Sequence, residues 1–114
     1  MNIFSELKEE LNLENDKFEK IYPHLLEIED KLVKEKLDFD KQQKLAFFSH
    51  MVSFIDRLMK GEKTKNIDKK ITSELSDYSI SLAKEIIVPL FEKYQKEVDF
   101  SEIILVAIHL ENVI

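Results

Sequence analysis

Residues 45–58 read LAFFSHMVSFIDRL, and this stretch has the apolar period of an α-helix. Asp40 lies upstream as a good N-cap, and Gly61 lies downstream as a good C-terminal stop. The sequence therefore predicts a helix over 40–60 with one buried face. The predicted buried side chains follow one another at intervals of three or four residues: Leu45, Phe48, Val52, Ile55 and Met59.

A second apolar stretch, EIILVAIHLENVI, occupies residues 102–114. Its continuous apolar run also suits a buried strand, but a lone strand has no partner for its backbone hydrogen bonds. We therefore expect a helix that Ser101 caps and that runs to about residue 112. A helix that is apolar on most of its circumference must be central in a bundle or lie in a subunit interface.

The N-terminal third carries one amphipathic stripe at a seven-residue interval: Phe4, Leu11, Phe18, Leu25 and Leu32. Such a heptad also occurs in coiled coils, but Pro23 interrupts it, which favours ordinary core packing. We expect a short N-terminal helix, a break or kink near Tyr22, and a helix over 23–36. This division predicts an N-terminal helical extension over 1–20 and a helical domain over 21–114.

The remaining segments are also predicted to be helical. The Lys-rich residues 61–70 are expected to form a solvated connection, followed by a short helix over 67–75 and a longer one over 77–94 with a kink at Pro89. One Gly and two Pro leave too little turn chemistry for a sandwich or barrel. The expected fold is all-α, a compact bundle of about five helices with a short additional N-terminal helix. The helix over 77–94 is expected to bury Ile80, Ala83, Ile87, Leu90 and Phe91.

Charge and composition exclude several classes of function. The 23 acidic and 17 basic residues give a net charge of -6, whereas nucleic-acid-binding domains are usually basic. There is no Cys, so disulfides and thiol chemistry are excluded. The sequence shows neither a signal peptide nor an apolar run as long as a membrane span. It predicts a cytoplasmic protein without direct nucleic-acid or membrane binding.

The histidines are the best candidates for chemistry. Of three in the chain, His50 and His109 lie in the two apolar stretches, while His24 beside Pro23 is expected at the surface. Imidazole can act as nucleophile, proton carrier or metal ligand. Arg57, the single arginine, follows His50 by seven residues, and Glu102 precedes His109 by seven. If the two helices pack antiparallel, either each histidine faces the other helix's charged residue or the histidines face each other.

Known catalytic and metal-binding patterns are not found around these residues. Positions 21, 47 and 106, three before each histidine, are apolar, so the Glu-x-x-His pairs of di-iron bundles are missing. No His-x-x-x-His pair, Gly-x-Ser-x-Gly motif or Gly-rich phosphate loop occurs. We therefore predict no cofactor, no metal and no enzymatic activity.

The two histidine segments together resemble the phosphotransferase-system regulation domain, or PRD, over about 21–113. In that family one helix carries a stretch like Leu-Thr-Asp-His, then Ile-Glu-Arg and Lys-Gly, and the last helix reads roughly Glu-x-x-x-x-x-Ala-Leu-His-x-x-Asn. Here FFSHMVSFIDRLMKG and DFSEIILVAIHLENV occupy the two places, with Ser49 where the family usually has Asp or Asn. The matching residues are His50, Arg57, Gly61, Glu102, Ala107, His109 and Asn112.

The resemblance implies a regulatory module and not a catalyst. PRD modules assemble as dimers and are controlled by reversible histidine phosphorylation, with the phosphoryl group supplied by the phosphocarrier protein HPr or an enzyme II component. Carried over, the phosphoacceptors are His50 and His109, and the supporting phosphate or ion-pair contacts are Arg57, Glu102, Asn112 and Ser49. As a free-standing single module, the chain is expected to form a homodimer and to signal in trans, to transcription regulation or to a separate regulator protein.

Two other functions remain open from the sequence. A PRD-like helical module without phosphoacceptance would serve in dimerisation or protein interaction alone, and its histidines would be satisfied core residues. A small enzyme or metal protein would have to gather His50, His109 and Glu102 into one site. The relative positions of these three side chains distinguish the hypotheses.

Overall fold

The part of the chain that the structure describes forms five α-helices and one short 3-10 helix. The computed structural model describes residues 3–64 and 66–114, without the Lys69 side chain, and these residues contain no strand. The all-α prediction is therefore confirmed. In chain order the elements are α1 (Ile3–Glu10), α2 (Asn15–Lys34), α3 (Lys41–Lys60), the 3-10 helix Lys69–Glu74, α4 (Asp77–Lys93) and α5 (Phe100–Glu111).

Helix α3 begins and ends at the residues that the sequence predicts. Its N-terminus is closed by a capping box, in which Gln43 N donates to Asp40 Oδ1 at 2.8 Å and Asp40 N donates to Gln43 Oε1 at 3.0 Å. At the other end Gly61 adopts the left-handed conformation, with φ 75°. The apolar face is buried as well, with Leu45 and Met59 only partly covered.

Of the break or kink predicted near Tyr22, the break is wrong, because α2 runs without interruption through Pro23. The chain instead turns at residues 11–14, where Asn12 takes a left-handed φ of 51° that Asn tolerates better than most residues. Pro23 itself is exposed, whereas its neighbours on the inner face of α2 are buried. Packing of that face outweighs the cost of about 3 kcal/mol that a proline carries inside a helix. The buried neighbours are Ile21, His24, Leu25 and Ile28.

Helix α4 also continues through its proline, Pro89. The proline leaves the carbonyl of Glu85, one turn earlier, without its usual helical donor. Lys31 Nζ on α2 donates to this carbonyl oxygen at 2.7 Å. A side chain from a neighbouring helix thus replaces the missing hydrogen bond, and the predicted helix continues to Lys93.

Helix α1 is part of the hydrophobic core. Phe4 and Leu7 are only 2% and 1% exposed. The Phe4 ring packs edge-on against Phe48 of α3 at 5.0 Å and against Tyr22 of α2 at 5.8 Å between centroids. The predicted division between 1–20 and 21–114 falls within α2, and it stays a prediction about domain organisation.

Helix α5 lies antiparallel to α3 at the centre of the molecule. Its first turn is tied to the last turn of α3, where Arg57 meets Glu102, and its C-terminal Asn112 accepts from Gln43 near the start of α3. The prediction that this apolar helix is central is confirmed. Its buried apolar residues are Ile103, Ile104, Val106, Ala107 and Leu110.

The cap of α5 differs from the prediction. Asp99 is the N-cap, and its Oδ1 accepts from Ser101 N at 3.0 Å. Ser101 lies inside the helix, and its Oγ accepts from Ile67 N at 3.0 Å. Ser101, which was predicted to cap α5, therefore binds the backbone of the connection between α3 and the 3-10 helix.

Candidate functional site

The two histidines of the apolar stretches face each other across α3 and α5. The ring centroids of His50 and His109 are 5.1 Å apart, and the ring planes are tilted by 31°. Both side chains are half-buried. Of the alternatives that the sequence leaves open, the antiparallel helices therefore adopt the one in which the histidines meet.

Phe47 supports the pair from the core side. Its ring packs edge-on against His109, with centroids 6.2 Å apart and planes at 82°. The sequence did not single out this residue, although it lies one helical turn before His50. An aromatic side chain at this spacing usually indicates a core residue, so the contact between Phe47 and His109 is evident only from the packing of α5 on α3.

Both imidazoles are held in the neutral form at pH 7. Burial and, to a smaller extent, the positive charges of His109 and Arg57 together lower the pKa of His50 to about 4. Burial also lowers the pKa of His109. His50 Nε2 is buried without a hydrogen-bond partner among the described residues. The pair therefore presents two neutral rings, each with one ring nitrogen that carries a lone pair and no proton.

We expect the buried neutral His50 to make stability fall as the pH decreases from 6.5 to about 4. In this window the unfolded chain binds more protons than the folded chain, so the free energy of unfolding rises with pH. After allowance for solvent screening, His50 contributes about 2 kcal/mol, fully present above pH 6.5. Urea unfolding at pH 7 and pH 4 measures the loss, and His50→Gln is the matched control. An equal loss in both proteins would contradict the prediction.

Arg57 and Glu102 form the second pair between the same helices. Arg57 Nε donates to Glu102 Oε2 at 3.1 Å, and one terminal nitrogen contacts Oε1 at 2.8 Å and Oε2 at 3.0 Å. The Glu102 side chain is only 4% exposed, against 23% for Arg57. Burial raises the pKa of Glu102, and Arg57 opposes this shift. The ion pair thus joins the last turn of α3 to the first turn of α5.

Two other predicted site residues make no side-chain hydrogen bond to the histidines. Ser49 is half-buried on α3, next to His50 in sequence. Asn112 is exposed at the C-cap of α5, one turn beyond His109, and its backbone carbonyl accepts from Gln43 Nε2 at 3.4 Å. The structure therefore brings together His50 with His109 and Arg57 with Glu102, and it leaves Ser49 and Asn112 at the edge of the site.

His24 is not a surface residue, contrary to the prediction. It is 3% exposed, and its Nε2 is 2.9 Å from the Tyr94 hydroxyl at the end of α4. Burial and the charge of Lys93 lower its pKa. The error follows from placing a break at Pro23, since an uninterrupted α2 turns His24 inward beside Leu25. The tyrosine hydroxyl satisfies a polar group that would otherwise be unpaired in the core.

We expect Tyr94→Phe to lower the free energy of unfolding by about 1–2 kcal/mol, because it leaves the buried His24 Nε2 without a partner. Urea unfolding at pH 7 measures the change. Tyr78→Phe is the matched control, since the exposed Tyr78 hydroxyl donates to Glu35 Oε2 at 3.2 Å and its loss is expected to change stability by less than about 0.5 kcal/mol. Equal effects of the two substitutions would count against a structural role for Tyr94.

The three residues of the enzyme or metal-protein hypothesis do not converge. Glu102 is engaged by Arg57, and the two histidines face each other instead. Within residues 3–64 and 66–114 no group of three His, Cys, Asp or Glu side chains is arranged to hold a metal ion. In the same part of the chain, every helix is too short or too polar to cross a membrane.

Comparison with known proteins yields one match. The family model described as the PRD domain matches residues 24–113, which contain α3, α5 and both histidine segments. No curated protein and no solved structure matches the chain. The matched range agrees closely with the extent over which the sequence motifs resemble that family, and it covers most of the chain. The chain therefore belongs to the PRD domain family.

Proposed function

We propose that this chain is a regulatory module that is reversibly phosphorylated on His50 and His109. The phosphoryl donor is a protein of the phosphotransferase system, either the phosphocarrier HPr or an enzyme II component. The modified module signals in the cytoplasm to transcription regulation or to a partner protein. Family membership supports the regulatory class. The observation that supports the site is the facing of the two motif histidines, 5.1 Å apart between ring centroids.

The neutral state of the rings suits phosphoryl acceptance. A ring nitrogen with a free lone pair attacks the phosphorus, and a nitrogen–phosphorus bond forms as the bond from phosphorus to the donor breaks. The electron pair of the broken bond stays with the donor, and the donor takes up the proton that leaves the other ring nitrogen, so the product is a neutral ring that carries a dianionic phosphoryl group. Because burial lowers the pKa values of both histidines, neither ring must first lose a proton at pH 7.

Burial restricts the atoms that a donor can reach. His50 Nε2 is enclosed by protein atoms, so a donor protein cannot approach it in this conformation. The candidates for modification are the other nitrogen of His50 and the two nitrogens of His109, and both residues are half-buried. We propose that the donor loads one of these atoms.

Arg57 links the site to the helix packing. The positive charge of Arg57 contributes to the lowered pKa of His50, and the Arg57 guanidinium forms an ion pair with Glu102. A phosphohistidine adds about two negative charges and three strong acceptor oxygens, which attract a guanidinium and repel a carboxylate. Phosphorylation would thus weaken the tie between α3 and α5 and bias their packing.

The remaining motif residues are proposed to support the phosphoryl group. Ser49 has a hydroxyl that can donate to phosphoryl oxygens, and Asn112 has an amide that can do so. Each is close in sequence to one histidine of the pair, since Ser49 directly precedes His50 and Asn112 follows His109 by one turn. The readout of the modified state is a change in the homodimer or in its contact with a separate regulator protein.

Phosphotransfer in vitro tests the proposal. The wild-type chain is incubated with phosphoenolpyruvate, enzyme I and HPr, and acid-labile label on the chain is measured. We expect label on the wild type and on His24→Gln, the matched control outside the motifs, and none on the double variant His50→Gln/His109→Gln. Absence of label on the wild type, also with an enzyme II donor, would contradict the proposal.

A second candidate is a PRD-like dimerisation or interaction module that is not phosphorylated. The burial of His50 Nε2 favours it, because a buried imidazole packed on another ring serves as a core residue. For this candidate, the double variant keeps its assembly state and partner affinity, and the wild type takes no label.

A further inference from the structure

The two acceptor rings are too close to behave as independent sites. They are 31° from parallel, with centroids 5.1 Å apart, and Phe47 closes the side of His109 that faces the core. Groups attached to both rings would therefore occupy neighbouring volumes on the open side. Two phosphoryl groups could be accepted independently only if the two rings were farther apart than they are here.

Charge also makes double occupancy unfavourable. Each phosphoryl group carries about -2 at pH 7, so two groups repel about four times as strongly as two single charges at the same distance. The Debye length of about 8 Å at physiological salt exceeds the separation of the rings. Salt therefore does little to relieve the repulsion between groups on the two histidines.

The neighbouring counter-charge suits one phosphoryl group better than two. Arg57 is a cation whose charge acts on His50, and it is shared with the buried Glu102 carboxylate through three hydrogen-bond contacts. A first phosphoryl group competes with Glu102 for this guanidinium. A second group would have to compete with both.

We infer that His50 and His109 form one acceptor site that holds a single phosphoryl group at a time. This inference rests on the proposed function. Transfer from the donor follows the same balance as above, with one nitrogen–phosphorus bond formed and the donor's bond broken. The unmodified imidazole then lies beside a dianion, which favours its protonated form, and the resulting ion pair stabilises the singly modified state.

A phosphoryl group on either histidine therefore hinders phosphorylation of the other histidine. A chain modified on His50 and a chain modified on His109 carry the same charge at nearly the same place, so the module has one modified state with two isomers. The second phosphoryl group is expected to be added at least about 100-fold more slowly than the first. Two donors that prefer different histidines would then compete for one module.

Intact-protein mass spectrometry at neutral pH tests the inference, at the time when reaction with phosphoenolpyruvate, enzyme I and HPr has just brought the first modification to completion. We expect at most one phosphoryl group on the wild type, one on His50→Gln, one on His109→Gln and none on the double variant. Two groups on the wild type would overturn the inference and leave the proposed function intact. A single variant that accepts none would also overturn it, since one histidine would then be the sole acceptor. No group on the wild type would contradict the proposed function itself.

A small chemical donor provides a measurement that depends neither on docking nor on variants that must fold. Phosphoramidate is reacted with the wild-type chain in native buffer and in concentrated urea, and modified residues are mapped. We expect one phosphoryl group at the pair in the folded chain, whereas in urea separate modification of all three histidines is expected. Folded chains that carry groups on both His50 and His109 would overturn the inference.

Discussion

Arg57→Ala is expected to lower the free energy of unfolding by about 3–5 kcal/mol, because it leaves the Glu102 carboxylate buried and unpaired. Only 4% of the Glu102 side chain is exposed, so water replaces the lost guanidinium poorly. Urea unfolding at pH 7 measures the loss. A conservative Arg57→Lys change keeps the charge and loses the forked geometry, so its effect is expected to be smaller.

The ion pair also predicts how the arginine variant responds to pH. Burial already raises the pKa of Glu102 in the wild type, and removal of Arg57 takes away the group that opposes this shift. The folded variant then binds a proton more readily than its unfolded chain, so its stability rises as the pH falls through the window between the two pKa values.

A second substitution separates the buried charge from the lost packing. In a Glu102→Gln background, Arg57→Ala leaves no buried carboxylate, and we expect it to cost much less than in the wild type. Equal costs in the two backgrounds would mean that Arg57 stabilises the protein through the packing of its aliphatic part and not through its charge.

Phe4→Ala is expected to lower the free energy of unfolding by about 3–5 kcal/mol, since a fully packed aromatic ring is removed from the core. Phe4 lies between Phe48 and Tyr22, and it is 2% exposed. Glu10→Ala on the exposed side of the same helix is the matched control, with a change below about 0.5 kcal/mol. Urea unfolding at pH 7 measures both.

This substitution also bears on domain organisation. If residues 1–20 were a detachable extension, Phe4→Ala would leave the unfolding transition of the remaining domain unchanged. We expect one cooperative transition that shifts as a whole, because α1 and α3 share a cluster of packed rings. Two separate transitions would support the division at residue 20.

The prediction of α3 from the sequence succeeded because its signals are local. Asp40, Gln43 and Gly61 act on the backbone within one turn, and the spacing of the apolar residues needs no knowledge of neighbouring helices. The prediction for α2 failed at its proline, since the cost of Pro23 is local whereas the packing that offsets this cost is not. The error at His24 followed from this break.

The residues that the structure brings together at the candidate site could be selected from the sequence, but which of them contact each other could not. His50, His109, Arg57 and Glu102 stand out by residue type and by the spacing of seven. Spacing on single helices cannot fix the register between them, so the choice between two antiparallel arrangements required the packing of α5 on α3. Phe47 and Tyr94 were missed because each acts on a residue distant in sequence, at positions 109 and 24.

The location of the phosphorus atom tests the central claim most directly. The chain is phosphorylated by HPr and examined by phosphorus–proton correlation NMR at neutral pH, with the imidazole protons assigned through the single His→Gln variants. We predict a correlation from phosphorus to the ring protons of His50 or His109. A phosphorus atom on His24 or on a hydroxyl side chain, or no bound phosphorus, would contradict the account.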